Sequence, residues 1–110
     1  MADTALDLLH GTLDLLVLRT LAAGPMHGYT VARRIRERSR DVLLVEEGAL
    51  HPALHRLERK GWIESEWGLS ENNRKAKFYQ LTARGRKQVR EELAGWERYV
   101  EAVTRVIQPV

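Results

Sequence analysis

The chain has 110 residues, of which 44% are hydrophobic and 30% charged, with no cysteine and a formal net charge of +3. That is enough for one core and too little for two ordinary domains, and no stretch carries the bias of a disordered tract. Without thiols there are no disulfides and no thiolate metal sites, so a reducing compartment, the cytoplasm, is the simplest home.

Leu6, Leu9, Leu13 and Leu16 recur at steps of three and four until Gly24-Pro25, which predicts a first helix from about Asp3 to about Ala23. Its apolar run is interrupted by Asp14 and Arg19 and is far too short to span a bilayer. We therefore expect a core helix and no membrane role.

A second helix is expected over His27–Ser39, with either Tyr29, Ala32 and Ile35 or Val31 and Ile35 turned inward. Charge shifts at this point. Residues 1–26 carry one Arg against three Asp, whereas residues 27–60 carry seven Arg and one Lys against five acids. Arg33, Arg34, Arg36, Arg38 and Arg40 lie in or just after this helix, tempered by Glu37 and Asp41. The clustering fits a polyanion partner and equally a solvated helix face. In the connection from Ser39 to Glu47, "VLLV" is short enough to be only a buried link or a single β-bridge.

In "EEGALHPALHRLERK", Leu50, Leu54 and Leu57 fall on one helix face although Pro52 stands among them. Proline is tolerated in a first turn, where its missing N–H would be unpaired anyway. A third helix starting within a residue or two of Ala49, with Pro52 as its start signal and Gly61 as its C-terminal cap, reconciles the two. Its other side presents His51, His55, Arg56, Arg59 and Lys60.

"WIESEW" and "KFYQLT" alternate apolar and polar residues and predict two short strands. The intervening "GLSENNRKA" predicts an extended, basic hairpin tip carrying Asn73, Arg74 and Lys75, with Lys77 next to it at the start of the second strand. The last segment has the clearest period: Val89, Leu93, Trp96, Val100, Val103 and Ile107 form a coiled-coil seam. With Thr82 as N-cap, the helix runs from about Ala83 to Ile107, roughly 35 Å. So long a helix overhangs so small a domain, and we expect a homodimer built from the terminal helices, through Leu6, Leu9 and Leu13 at one end and Leu93, Trp96, Val100, Val103 and Ile107 at the other.

Three helices, a hairpin and a long helix make a mainly α (α+β) winged helix-turn-helix, with residues 1–82 as the DNA-binding part and 83–110 as a dimerisation helix. In this geometry the third helix enters the major groove of double-stranded DNA and the hairpin follows the backbone. The expected contacts are Arg33, Arg34, His51, Pro52, His55, Arg56 and Lys60, with Asn73, Arg74, Lys75 and Lys77 on the wing. His51 and His55 also have a metal-binding spacing, but no third ligand stands near and a metal is not expected. No nucleophile with a positioned base, phosphate-cradling loop or carboxylate pair is evident, so neither catalysis nor a cofactor is expected. Two competing functions remain: a small-molecule sensor with an aromatic pocket between the terminal helices, and a protein-interaction module, whose third helix and wing would be neutral or acidic.

The ordered stretches "GTLDLLVLRTLAAGPMHGYTVARRI", "EEGALHPALHRLERKGWIESEW" and "KFYQLTARGR" resemble the PadR-type transcriptional regulators of bacteria and archaea, over nearly the whole chain, from about Leu9 to about Ile107. The single C-terminal helix resembles the short-tailed branch of that family. The resemblance implies a dimeric cytoplasmic repressor of palindromic operators; several relatives respond to small aromatic or cationic compounds, such as phenolic acids or drugs, near the dimer interface. Trp96 matches a tryptophan that lines a drug pore in one branch, and reads as well as a seam residue. The family commonly has Ser and then Leu-Tyr-Pro where this chain has Ala49, Leu50, His51 and Pro52, which weakens a carried-over phosphate contact, although His51 can still donate one hydrogen bond.

Overall fold

The computed structural model describes residues 11–109. The first helix, α1 (Thr12–Leu21), buries Leu15, Val17, Leu18 and Leu21, while Leu13 and Leu16 pack half-buried beside them. The described helix begins at Thr12, and the expected start near Asp3 lies outside the described residues. Gly11 has a left-handed φ of 88°, which stops helical geometry there, and Leu6 and Leu9 lie outside the described residues. At the other end the Gly24 N–H donates to the Leu21 carbonyl and Pro25 prevents continuation.

Two residues then form a strand that the sequence does not announce. β1 (Met26–His27) pairs antiparallel with a later strand, Met26 opposite Tyr79 and His27 opposite Phe78. A two-residue run has no period to read. The helix α2 (Gly28–Arg38) buries Val31 and Ile35, so the second of the two expected inward sets is adopted; Tyr29 is 67% exposed. "VLLV" is a link and no strand, and it is only half covered: Leu43 and Val45 pack partly buried on the core while Val42 and Leu44 are exposed, and the Leu43 N–H donates to Ser39 Oγ at 3.0 Å.

The helix α3 (Glu47–Arg59) begins within two residues of Ala49, and Leu50, Ala53, Leu54 and Leu57 form its buried face. Pro52, however, is its sixth residue, in the second turn rather than the first. The N–H it lacks would have reached Gly48, and both residues are exposed, where water can take the free carbonyl. Gly61 (φ 78°) ends the helix: its N–H donates to the Glu58 carbonyl and the Trp62 N–H to Leu57, the paired bonds of a Schellman motif.

β2 (Ile63–Leu69) and β3 (Lys75–Leu81) form the hairpin, with Ile63 opposite Leu81 at the base and Leu69 opposite Lys75 at the tip. The strands run further than the alternation suggested, so the tip is only the turn Ser70–Arg74, closed by Ser70 N–H to Arg74 carbonyl at 2.8 Å and by a left-handed Asn73. β3 is the central strand, between β1 and β2.

The last helix, α4 (Ala83–Ile107), has the expected bounds and cap, with Thr82 Oγ1 accepting from the Gly85 N–H at 3.0 Å. Its opening turns pack on α1 and β3 through Val89 and Leu93, and the helix then runs on past the domain, within an outline of 57 × 35 × 20 Å. The core gathers one face of every helix and the base of the sheet. The whole is a winged helix-turn-helix.

Candidate nucleic-acid interface

The outward side of α3 is polar, because its four buried apolar residues take up one face only; His51, Pro52 and His55 are exposed. Strand alternation decides what stands beside it. Ile63, Tyr79 and Leu81 face the core at the base of the hairpin, so on the same face toward the tip come Trp67, Leu69, Lys75 and Lys77. Glu64, Glu66 and Gln80 fall on the opposite face, where Gln80 Nε2 donates to Glu64 at 2.9 Å. The wing is thus basic toward the helices and acidic away from them.

A cleft of about 250 Å³ joins the parts: His27 and Tyr29 from the start of α2, Glu47 and His51 from the start of α3, and Lys77 and Tyr79 from β3. Burial holds the Tyr79 phenol neutral by pushing its pKa up, and the nearby Glu58 carboxylate adds to the effect. Tyr29 stacks with His27 at 6.2 Å between centroids and carries the Arg33 guanidinium at 5.8 Å, with Glu37 4.0 Å from the same arginine. On the wing, Lys75 and Lys77 lie 5.1 and 6.0 Å from the ring of Trp67, which is 60% exposed. Arg74 and Asn73 occupy the exposed turn beyond them.

His51, Pro52, His55, Arg33, Asn73, Arg74, Lys75 and Lys77 therefore share one side of the molecule or its immediate rim. Three expected contacts are directed elsewhere. Arg34 is one helical step, about 100°, past Arg33, and lines a separate cleft with Arg19 and Arg38 against α1. Arg56 is bonded to Asp14 of α1, Nη2 to Oδ1, at 2.8 Å. Lys60, at the far end of α3, lies 4.7 Å over the Trp62 ring. Tyr29 and Trp67 were not among the expected contacts. For Trp67 a signal was present, since it shares the odd count of "WIESEW" with Ile63, and the face that is core at Ile63 is surface by Trp67.

The seam of α4 leaves its support in steps: Val89 is buried, Leu93, Trp96 and Val103 are half-buried, Val100 is exposed and Ile107 is 72% exposed. Beside it a groove of about 610 Å³ runs between Thr12 and Leu15 of α1 and Glu91, Glu92, Trp96 and Tyr99 of α4, with the two aromatic rings 6.0 Å apart. Among the described residues no three His, Cys, Asp or Glu side chains gather as a metal site, and no helix is long and apolar enough to cross a membrane.

Residues 17–91 match the family described as "Transcriptional regulator PadR-like family". Among solved structures, the chain is similar to a transcriptional regulator from Clostridium thermocellum, 26% identical with a TM-score of 0.81, covering 89% of this chain and 95% of that one. A PadR-family regulator from Eggerthella lenta is 29% identical at a TM-score of 0.77 over 91% of this chain and 85% of its own. One from Clostridium difficile is 29% identical at 0.73, covering 86% and 96%.

Proposed function

The chain belongs to the PadR-like family of transcriptional regulators, which are not enzymes, and from that premise we propose that it is a homodimeric cytoplasmic repressor of palindromic operators. The observation that carries the reading is the shared face: the polar flank of α3 and the basic side of the wing border one cleft through His51 and Lys77. His51, Pro52 and His55 then meet the major groove with the N-terminal end of α3 leading. Arg33 reaches a flanking phosphate, and Asn73, Arg74, Lys75 and Lys77 hold the backbone beside the minor groove. With Ala49 and His51 in place of hydroxyl-bearing family residues, one phosphate bond comes from an imidazole instead.

Fluorescence anisotropy on duplexes enriched from random DNA by the protein itself tests this. Affinity should fall steeply with salt, and R74A/K75A/K77A should lower the log–log slope by about one unit per lost contact. Unchanged affinity in the triple variant removes the wing from the reading, and a selection that converges on no shared sequence removes the operator.

A second element of the proposal is release by a small effector. The groove beside Trp96 and Tyr99 supports it, and Glu91 and Glu92 on its wall favour a planar compound of positive charge. Tryptophan emission that stays flat across a panel of planar aromatic cations and anions argues against an effector there.

A further inference from the structure

The contact between Arg56 and Asp14 joins two helices 42 residues apart in sequence, and its carboxylate is poorly exposed: 18% for the Asp14 side chain, against 43% for Arg56. Arg56 sits on α3 between the exposed His55 and the buried Leu57, at the border where the helix turns from its outer flank toward the domain. Its nitrogen is engaged at 2.8 Å, and the carboxylate stands in the first turn of α1, between Thr12 and Leu15, which border the aromatic groove. One turn of α1 therefore touches both the groove and α3.

We propose that Arg56 is a positioning residue. It sets the tilt and depth of α3 by holding it to α1 through Asp14, and it does not contact DNA. The apolar face of α3 fixes which side is buried, and Ser65 Oγ donates to Glu58 at 2.6 Å on the side of β2; the ion pair adds a directed constraint on the side of α1, which non-directional leucine packing does not supply. The inference rests on α3 being the DNA-reading helix, so its test has one arm that needs no DNA.

In the first arm, affinity for the selected duplex is measured against salt for wild type, R56Q, R56K, D14N and D14N/R56Q. R56Q and D14N should each weaken binding about fivefold with an unchanged salt slope, the double variant should be no weaker than either, and R56K should recover part of the loss. If R56Q instead lowers the slope by about one unit while D14N binds as well as wild type or better, Arg56 is a phosphate contact and the proposal is overturned. In the second arm, amide chemical shifts of Leu50–Leu57 in the free protein should move in the same pattern in D14N and R56Q. Shifts that stay at their wild-type positions in either variant overturn the proposal as well. Should the wild type enrich no duplex, it is the operator reading that fails, and the amide shifts alone decide the strut.

Discussion

Gly85 shows how little room one side chain position leaves. A Cβ there would stand 1.9 Å from the Trp62 carbonyl oxygen, a backbone atom that has no rotamer to escape into. We expect G85A to push the start of α4 away from the wing and to lower stability by about 1–3 kcal/mol, read as a fall in thermal midpoint by circular dichroism. A midpoint within a degree of wild type would refute the close approach. Tyr79 gives a prediction in pH. Its folded pKa is raised above the ordinary 10.0, so above that pH the unfolded chain releases a proton that the folded chain keeps. Stability is then fully present below pH 10 and falls as pH rises, and urea midpoints for Y79F should fall less steeply over that range than those of wild type. Single residues were the least legible part of the sequence. Arg33 and Arg34 are chemically the same, and only the 100° between them on a finished helix sends one over the Tyr29 ring at the rim of the cleft and the other to α1. Arg56 is likewise unreadable alone, because its partner Asp14 belongs to another element.

At the scale of elements, legibility followed period and punctuation. The bounds of α4 are visible because a seven-residue repeat continues between a capping threonine and Ile107, and the end of α3 because Gly61 supplies a left-handed residue. The strand β1 is invisible because two residues acquire strand character only from their partner β3. Pro52 misleads for a different reason: packing of Leu50, Leu54 and Leu57 outweighs the hydrogen bond it removes, so the helix starts two residues earlier than a first-turn proline requires. P52A restores an N–H opposite the Gly48 carbonyl and, after allowance for the more flexible unfolded chain, should raise stability by about 1–2 kcal/mol. Unchanged or lower stability would mean that the proline already suits its place on the exposed side.

For the whole molecule the question is what covers the far half of α4. Val100, Val106 and Ile107 are exposed together on a helix that has outrun its own domain, and each large apolar side chain removed from water contributes roughly 1.5–3 kcal/mol. We expect sedimentation to give a dimer at micromolar concentration and V100D/V103D to give a folded monomer with much weakened binding to a palindromic duplex but little change toward a single half-site. A wild-type monomer under these conditions would overturn the dimer. The expected half-site spacing is about one turn of DNA, roughly 34–36 Å. The overhang was legible because length and period are both properties of the string, whereas the groove beside Trp96 is made by two helices and appears only once they are packed.

The hairpin leaves and re-enters the domain at a single point. Thr82 Oγ1 donates to the Gly61 carbonyl at 2.7 Å, the Thr82 N–H to Trp62, and Ile63 lies opposite Leu81, so the two ends of the excursion are stitched together before it departs. Only the part of the hairpin beyond the pairing of Phe78 and Tyr79 with β1 is a cassette: its length and tip chemistry can be exchanged between relatives, or extended by insertion at Glu71-Asn72, without asking the helices to rearrange.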